Sequence, residues 1–202
     1  MRDNAADIAN ELPEGWVLAT IQGVCEVNPG KPPKDALAPE AQVTFVPMSA
    51  VDAACGSITA PEQRCYAKVR TGFTSFREHD VLMAKITPCM ENGKAAVARG
   101  LVNGLGFGST EFHVLRSTGA VLPELVYHFI RQESFRDEAK LCMSGNVGQQ
   151  RVTSEFMKEA TIPVPPLAEQ KRIVAKVAAL LARQGEARER LGRVPFIMKR
   201  FR

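Results

Sequence analysis

A proline-rich junction at residues 162–166 divides the chain into two parts of different character. Pro163, Pro165 and Pro166 fall within four positions, and proline in a helix interior removes a backbone hydrogen bond and clashes with the preceding turn. The residues before Pro163 and Pro165 are also restricted to extended geometry. From Leu167 onward, apolar residues recur at helical spacing. The sequence therefore predicts a compact domain over residues 1–164 and a long helix over residues 165–202.

The compact part combines strands and helices. Apolar and β-branched runs predict strands at residues 17–27, 43–48, 80–86, 94–98, 110–116 and 160–164. Helical spacing predicts helices over residues 123–132 and 134–141. Most strands precede the helices instead of alternating with them, so the pattern favours an α+β fold of mixed β/α type. The glycine-rich stretch 104–108 is interpreted as a turn, since its spacing does not match a nucleotide-binding fingerprint.

The predicted helix carries an apolar seam. Its positions follow alternating steps of four and three and include Ile173, Val177, Leu180, Leu191, Val194 and Met198. An average step of 3.5 residues is typical of packing against another helix, so we expect the helix to project from the domain. A helix packed only on its own domain is the alternative. Gly192 and Pro195 predict a kink or a break near Pro195. The seam continues to the last residues, which favours a partner helix outside this chain.

The net charge of +4 is unevenly distributed. Residues 160–202 contain ten Lys and Arg and three Glu, a net charge of +7, whereas residues 1–159 carry −3. A basic helix suits a nucleic acid or an acidic protein surface, although a solvated helix face is the commoner explanation.

The five cysteines are scattered, without C-x-x-C pairs or histidines at metal-ligand spacing. They predict reduced thiols instead of disulfides or a zinc site. No segment has the composition of a signal peptide or a membrane span. We therefore expect a soluble, cytoplasmic protein without a metal.

Catalytic motifs are missing from the sequence. It contains neither a G-x-x-x-x-G-K-[ST] phosphate loop nor a G-x-S-x-G nucleophile elbow. His79, His113 and His128 are far apart, and the last two fall in a predicted strand and helix, where structural histidines are commoner than catalytic ones. The sequence therefore predicts a recognition protein and not an enzyme.

Polar loops provide candidate contacts to a polynucleotide. Lys31 and Lys34 lie in a proline-stiffened loop and could contact phosphates, although exposed lysines commonly serve solubility alone. In the loop at residues 87–94, Asn92 could contact adenine, and Lys94 guanine or phosphate. The loop at residues 144–151 has the side chains that contact base edges: Ser144, Asn146, Gln149, Gln150 and Arg151. Thr110, beside the glycine-rich stretch, is a weaker candidate.

Four stretches in this order resemble a known family. They are residues 12–16 (LPEGW), 80–88 (DVLMAKITP), 108–112 (GSTEF) and 162–173 (IPVPPLAEQKRI). Together they resemble the specificity subunit of type I restriction-modification systems. A complete subunit of this family has two target recognition domains, each of which recognises half of a split DNA target. Its two conserved helices pair antiparallel as a spacer.

The resemblance implies that this chain is an N-terminal half, with a target recognition domain at residues 1–164 and one conserved spacer helix at residues 165–202. It implies a non-catalytic subunit that binds no cofactor, with S-adenosylmethionine, ATP and Mg on partner subunits. The implied partners are double-stranded DNA, modification and restriction subunits, and a second conserved helix or a second copy of the chain. The alternative is a structural assembly module that recruits other subunits without contacting bases.

Overall fold

A computed structural model of the chain describes residues 12–146 and 148–199, with the backbone alone for residues 192–199. The strands in chain order are β1 Val17–Thr20, β2 Cys25–Val27, β3 Gln42–Val46, β4 Glu62–Cys65, β5 Thr74–Arg77, β6 Val81–Ala84, β7 Ala95–Val97, β8 Leu105–Gly108, β9 Phe112–Ser117, β10 Met143–Ser144, β11 Arg151–Val152 and β12 Thr161–Val164. The helices are α1 Ile21–Val24, α2 Tyr66–Val69, α3 Pro123–Ile130, α4 Glu133–Leu141, α5 Ser154–Glu159 and α6 Leu167–Lys199.

Two four-stranded sheets form the centre of the compact part. The first has the order β2-β9-β6-β7 and is antiparallel throughout. The second has the order β4-β3-β8-β5, in which β3 and β8 run parallel. With the helices, these sheets confirm the predicted α+β class.

The first sheet is buried on both faces, and alternate side chains of its strands pack on opposite sides. In β6, Val81 and Met83 pack with the helices α1, α3, α4 and α5, whereas Leu82 packs with side chains of the second sheet. This alternation is the period of two expected for a strand buried on both faces. Complete burial of Leu82 alone contributes about 2 kcal/mol of hydrophobic free energy. The outer face of the second sheet is covered by α2.

The glycine-rich stretch forms a strand, so its interpretation as a turn was wrong. Residues 105–108 are β8, in the middle of the second sheet. A Cβ on Gly106 would lie 2.1 Å from the ring of Phe76, and one on Gly108 would lie 2.5 Å from the backbone oxygen of Val46. The glycines are therefore required by close packing between neighbouring strands, and not by a turn.

The two ends of the compact part meet at the proline junction. Strand β1 pairs antiparallel with β12, in register Val17 to Val164. The indole nitrogen of Trp16 donates to Oε2 of Glu169 over 3.2 Å. This contact places the stretch at residues 12–16 against the start of helix α6.

Helix α6 begins at Leu167 and continues to Lys199. Helical backbone extends past Pro195, so of the predicted kink or break only a kink is compatible with this helix. A proline removes one helical hydrogen bond and displaces a carbonyl group, but a helix can continue past it as a kinked segment. The kink itself stays a prediction.

The first part of α6 lies against the compact domain. Gln170 is 1% exposed: its Oε1 accepts from the Leu122 amide over 2.8 Å, and its Nε2 donates to the carbonyls of Ala120 and Pro165. Further along, Leu181 borders the same cavity as Tyr127 of α3. Residues 182–191 are all exposed. The helix therefore follows α3 before it enters solvent.

This packing divides the predicted seam into a partly buried part near the domain and an exposed part further along the helix. Ile173 and Val177 are partly buried, whereas Leu180 is 54% exposed and Leu191 is 70% exposed. The side chains of Val194 and Met198 lie outside the described residues. The apolar positions available to another helix are thus toward the distal part of α6.

Candidate nucleic-acid interface

The loop predicted at residues 144–151 forms a short hairpin attached to strand β6. Met143 pairs with Val152 and Ser144 with Arg151. The Val152 amide donates to the carbonyl of Lys85 over 2.9 Å, and the Thr87 amide donates to the carbonyl of Gln150 over 3.0 Å. We call residues 143–152 the recognition hairpin. Strand pairing and these two hydrogen bonds satisfy the backbone N–H and C=O groups at its base, and they hold the hairpin to the end of β6.

Arg151 forms a two-point ion pair with Glu111. Its Nε and Nη2 each lie 2.9 Å from a different carboxylate oxygen of Glu111, and its Nη1 donates to the carbonyl of Gln149. Donation from Arg151 lowers the pKa of Glu111, and the positive charge of Lys85 adds a smaller effect in the same direction. In this conformation Arg151 holds the recognition hairpin, and its contact with a base stays a prediction.

The other predicted residues of the hairpin have free side chains. Ser144, Asn146 and Gln149 are exposed and Gln150 is partly buried. None of these four side chains forms a hydrogen bond with another residue in the described part of the chain. Amides in this state can accept and donate simultaneously to a base edge.

A cleft of about 390 Å³ is lined by residues of both sheets and by Lys85, whose carbonyl accepts from Val152 of the recognition hairpin. Its lining residues are Asn28, Pro29, Lys31, Gly72, Phe73, Thr74, Ser75, Lys85, Thr110, Phe112 and Val114. The structure thus brings together Lys31 and Thr110, which are 79 positions apart in the sequence. We call this the lysine cleft.

Lys85 was missed by the sequence analysis. It directly follows β6, and the whole run from Asp80 to Ile86 was interpreted as a buried strand. The available signal was a single cation immediately after four buried apolar residues, at the point where the strand ends. A residue at this position lies at the end of its strand, where the loops that connect other strands meet.

Three predicted residues lie apart from the lysine cleft. Lys34 does not line it, and its carbonyl accepts a hydrogen bond from Arg70. The ammonium of Lys94 donates to the carbonyl of Met48 over 3.0 Å, which gives it a structural role. Asn92 is exposed in a loop fixed to α4, where Lys140 pairs with Glu91 over 2.7 Å. For these residues DNA contact stays a prediction without support from their placement.

His113 joins the hairpin to the loop after β2. It is 2% exposed; its Nε2 lies 2.8 Å from the carbonyl of Val152 and its Nδ1 lies 3.0 Å from Nδ2 of Asn28. A carbonyl can only accept, so Nε2 donates and Nδ1 accepts from the amide. Burial lowers the pKa of His113, which favours this neutral form. The geometry is that of a structural histidine.

Residues 12–146 and 148–199 contain no group of three His, Cys, Asp or Glu side chains that could hold a metal ion. None of the helices in these ranges is both long and apolar enough to cross a membrane.

Comparisons with known proteins agree on one family. The family described as the type I restriction modification DNA specificity domain matches residues 13–189. The chain is 36% identical over 174 residues to the specificity subunit of the type I restriction enzyme EcoAI from Escherichia coli, which covers 85% of the chain and 29% of that subunit. The corresponding EcoEI subunit is 35% identical over 172 residues, covering 85% of the chain and 28% of the subunit. The chain therefore spans less than a third of the length of these relatives.

Solved structures give the same result. The HsdS subunit from Thermoanaerobacter tengcongensis superposes with a TM-score of 0.71 at 28% identity, covering 88% of this chain and 45% of that one. A chain from a structure of type I R-M complex assembly and conformational transition gives a TM-score of 0.73 at 28% identity, covering 89% and 45%.

Proposed function

The chain belongs to the family of type I restriction modification DNA specificity domains, and we propose that it recognises one half of a bipartite duplex target for a type I restriction-modification complex. The single observation that supports this most is the position of the recognition hairpin beside the lysine cleft. Phosphate contacts orient a protein on DNA, and contacts to base edges give sequence preference. Both types of group lie at one edge of the molecule.

The hairpin supplies the side chains for base contacts in this proposal. Gln149 and Asn146 are exposed amides, and an amide can form two hydrogen bonds with adenine in the major groove. The Glu111–Arg151 pair and the two backbone bonds to Lys85 and Thr87 hold the hairpin in place. A preorganised hairpin loses less conformational entropy on binding than a free loop.

Helix α6 is the assembly element in this proposal. Its seam packs against a second conserved helix or a second copy of the chain, and its exposed part docks the modification subunits. The exposure of Leu180 and Leu191 supports this, because large apolar side chains on one helix favour a helical partner. The basic charge of residues 160–202 suits an acidic surface on such a partner.

We propose no catalytic role for this chain. In this proposal S-adenosylmethionine, ATP and Mg bind to the modification and restriction subunits. The complete assembly carries the methyltransferase and endonuclease activities and works in the cytoplasm. The chain contributes the choice of sequence.

The test is selection of binding sites. The chain is assembled with its modification subunits, and bound duplexes are recovered from a random pool. We expect a bipartite site. The Gln149→Ala variant broadens the preference at one position, with discrimination reduced about tenfold. The matched control is Gln63→Ala on β4, at the opposite edge of the second sheet from β5.

Two results contradict the proposal. Recovery of random sequences by the wild-type assembly supports the alternative of an assembly module without base contacts. An equal loss of discrimination in the Gln63 control shows that the effect of Gln149→Ala is not specific to the recognition hairpin.

A further inference from the structure

Lys85 is a partly buried cation without a carboxylate partner. Its amide donates to the carbonyl of Glu111 and its carbonyl accepts from Val152, both over 2.9 Å, so the backbone is fixed on both sides. Its ammonium forms no ion pair or hydrogen bond with any described residue. Partial burial removes water from a charge, and this cost is offset when an anion binds.

The nearby carboxylate of Glu111 does not neutralise Lys85. Both of its oxygens are engaged by Arg151, at 2.9 Å each, so that pair is neutral as a unit. None of the residues lining the lysine cleft is Asp or Glu, and two of them are lysines. The cleft therefore has an uncompensated positive charge.

We propose that the lysine cleft binds one backbone phosphate of the target DNA, held by Lys85 and Lys31 with the hydroxyl of Thr110. This inference rests on the proposed function and specifies the contact that orients the hairpin. A lysine ammonium binds phosphate as a point charge, whereas base recognition favours planar, two-point groups. The cleft therefore contributes affinity that is the same for all sequences.

The position of Lys85 gives this phosphate a further role. The backbone of Lys85 is hydrogen-bonded to Val152, and the backbone of Thr87, two positions later, is hydrogen-bonded to Gln150. The phosphate site is therefore joined through the backbone to the base of the recognition hairpin. A phosphate bound in the cleft sets the position along the duplex at which Gln149 meets a base.

Ser75 is a second polar group of the cleft. It is 6% exposed and lines the cleft, and its side chain forms no hydrogen bond with a described residue. Its hydroxyl can donate to a phosphate oxygen. The partly buried Phe73, which also lines the cleft, offers apolar surface for the adjoining sugar.

The experiment measures the salt dependence of DNA binding. The chain assembled with its modification subunits is titrated with its selected duplex and with a scrambled duplex, between about 50 and 200 mM salt, a range over which one phosphate contact changes affinity roughly threefold. The double variant Lys85→Met/Lys31→Met reduces the slope of log affinity against log salt by about one, the contribution of a single phosphate. Each single variant reduces the slope by part of that amount, and all of them weaken both duplexes equally. The matched control, Lys68→Met on α2, is exposed and does not line the cleft, and it leaves the slope unchanged.

A second arm leaves the protein unaltered, so it is independent of any folding defect in the variants. Each phosphate of the selected duplex is replaced in turn by a neutral methylphosphonate. We expect one position at which the replacement weakens wild-type binding roughly threefold, with a negligible further effect on Lys85→Met.

The outcomes separate this inference from the proposed function. If the wild type selects a site but Lys85→Met retains the full slope and no methylphosphonate position couples to it, the phosphate site is wrong and the recognition role stands. If Lys85→Met weakens only the selected duplex, the cleft contacts a base and not a phosphate. If the wild-type assembly prefers no sequence yet Lys85→Met lowers the slope, the phosphate site stands and the proposed recognition fails.

Discussion

The chain contains two arginine–carboxylate pairs with the same geometry in different surroundings. Arg116 binds Asp80 through Nε over 2.9 Å and Nη2 over 2.7 Å, and Arg151 binds Glu111 over 2.9 Å at both nitrogens. The side chains of Asp80 and Arg116 are 2% and 25% exposed, whereas those of Glu111 and Arg151 are 24% and 40% exposed.

The difference in burial assigns the two pairs different roles. Asp80 also accepts from the Arg77 amide over 2.7 Å, so it joins the turn before β6 to strand β9 inside the sheet. Loss of one partner in such a buried pair leaves an unpaired charge. The Glu111–Arg151 pair is screened by water and contributes less to stability, but it determines where the recognition hairpin lies. We expect the first pair to stabilise the fold and the second to organise the site.

The largest expected effect is the loss of the buried pair. Asp80→Asn removes the charged hydrogen-bond acceptor of Arg116 and leaves it with only Glu26, 3.8 Å away, so the free energy of unfolding falls by about 2 kcal/mol. Urea denaturation of the purified chain measures this. An Asp80→Asn variant as stable as the wild type would show that the buried pair does not stabilise the fold.

A smaller effect is expected for Glu111→Gln. The hairpin loses its charged anchor, so the amides of Thr87 and Val152, which close its base, exchange hydrogen about fivefold faster, while the core amides of β6 do not change. Hydrogen exchange monitored by NMR measures both sets in one sample. Uniform acceleration across β6 would show that the pair stabilises the whole fold, contrary to our comparison.

The Glu111–Arg151 pair also makes a pH-dependent contribution. Donation from Arg151 lowers the pKa of Glu111 below its ordinary value of 4.5. Because the folded pKa is depressed, the stabilisation is complete above about pH 4.5 and is lost as the pH falls through the lower, folded pKa. The stability difference between wild type and Glu111→Gln should therefore be constant near neutral pH and shrink in acid. A stability difference that grows in acid would mean that folding raises the pKa of Glu111, contrary to this prediction.

The smallest effect is expected for the exposed pair of Glu62 and Arg64, which serves as a control. Its side chains are 49% and 36% exposed, and Arg64 also lies over the ring of Phe45. Glu62→Gln should change the free energy of unfolding by less than about 0.5 kcal/mol, because exposed pairs contribute little. The same urea titration measures it, and a loss comparable to that of Asp80→Asn would remove burial as the explanation.

The parts of the fold that depend on local pattern could be predicted from sequence. Local sequence is enough to predict three features: the strand that ends at Ala84, the helix that begins at Pro123 and the proline junction. Strand β8 could not be predicted, because its glycines are explained by Phe76, which lies thirty positions away in sequence and adjacent in space. Turn propensity is a local rule, and tertiary packing overrode it.

The candidate site was less predictable than the fold for the same reason. The chemistry of the hairpin side chains predicts contacts with bases, but the partner of Arg151 is forty positions away in the sequence. Lys85 was hidden inside a strand pattern, and Lys94 had the right chemistry but donates to a carbonyl of its own chain. Residue type suggests what a side chain can bind, whereas only the fold determines whether its donors are free.

The central claim is that the recognition hairpin and the lysine cleft form one DNA-contacting edge. Hydrogen exchange of the assembled chain, with and without its selected duplex, tests this most directly. We predict protection at residues 85–87, 109–111 and 144–151, and no change at strand β4. Protection confined to β4 and α2, with an unchanged hairpin, would contradict it.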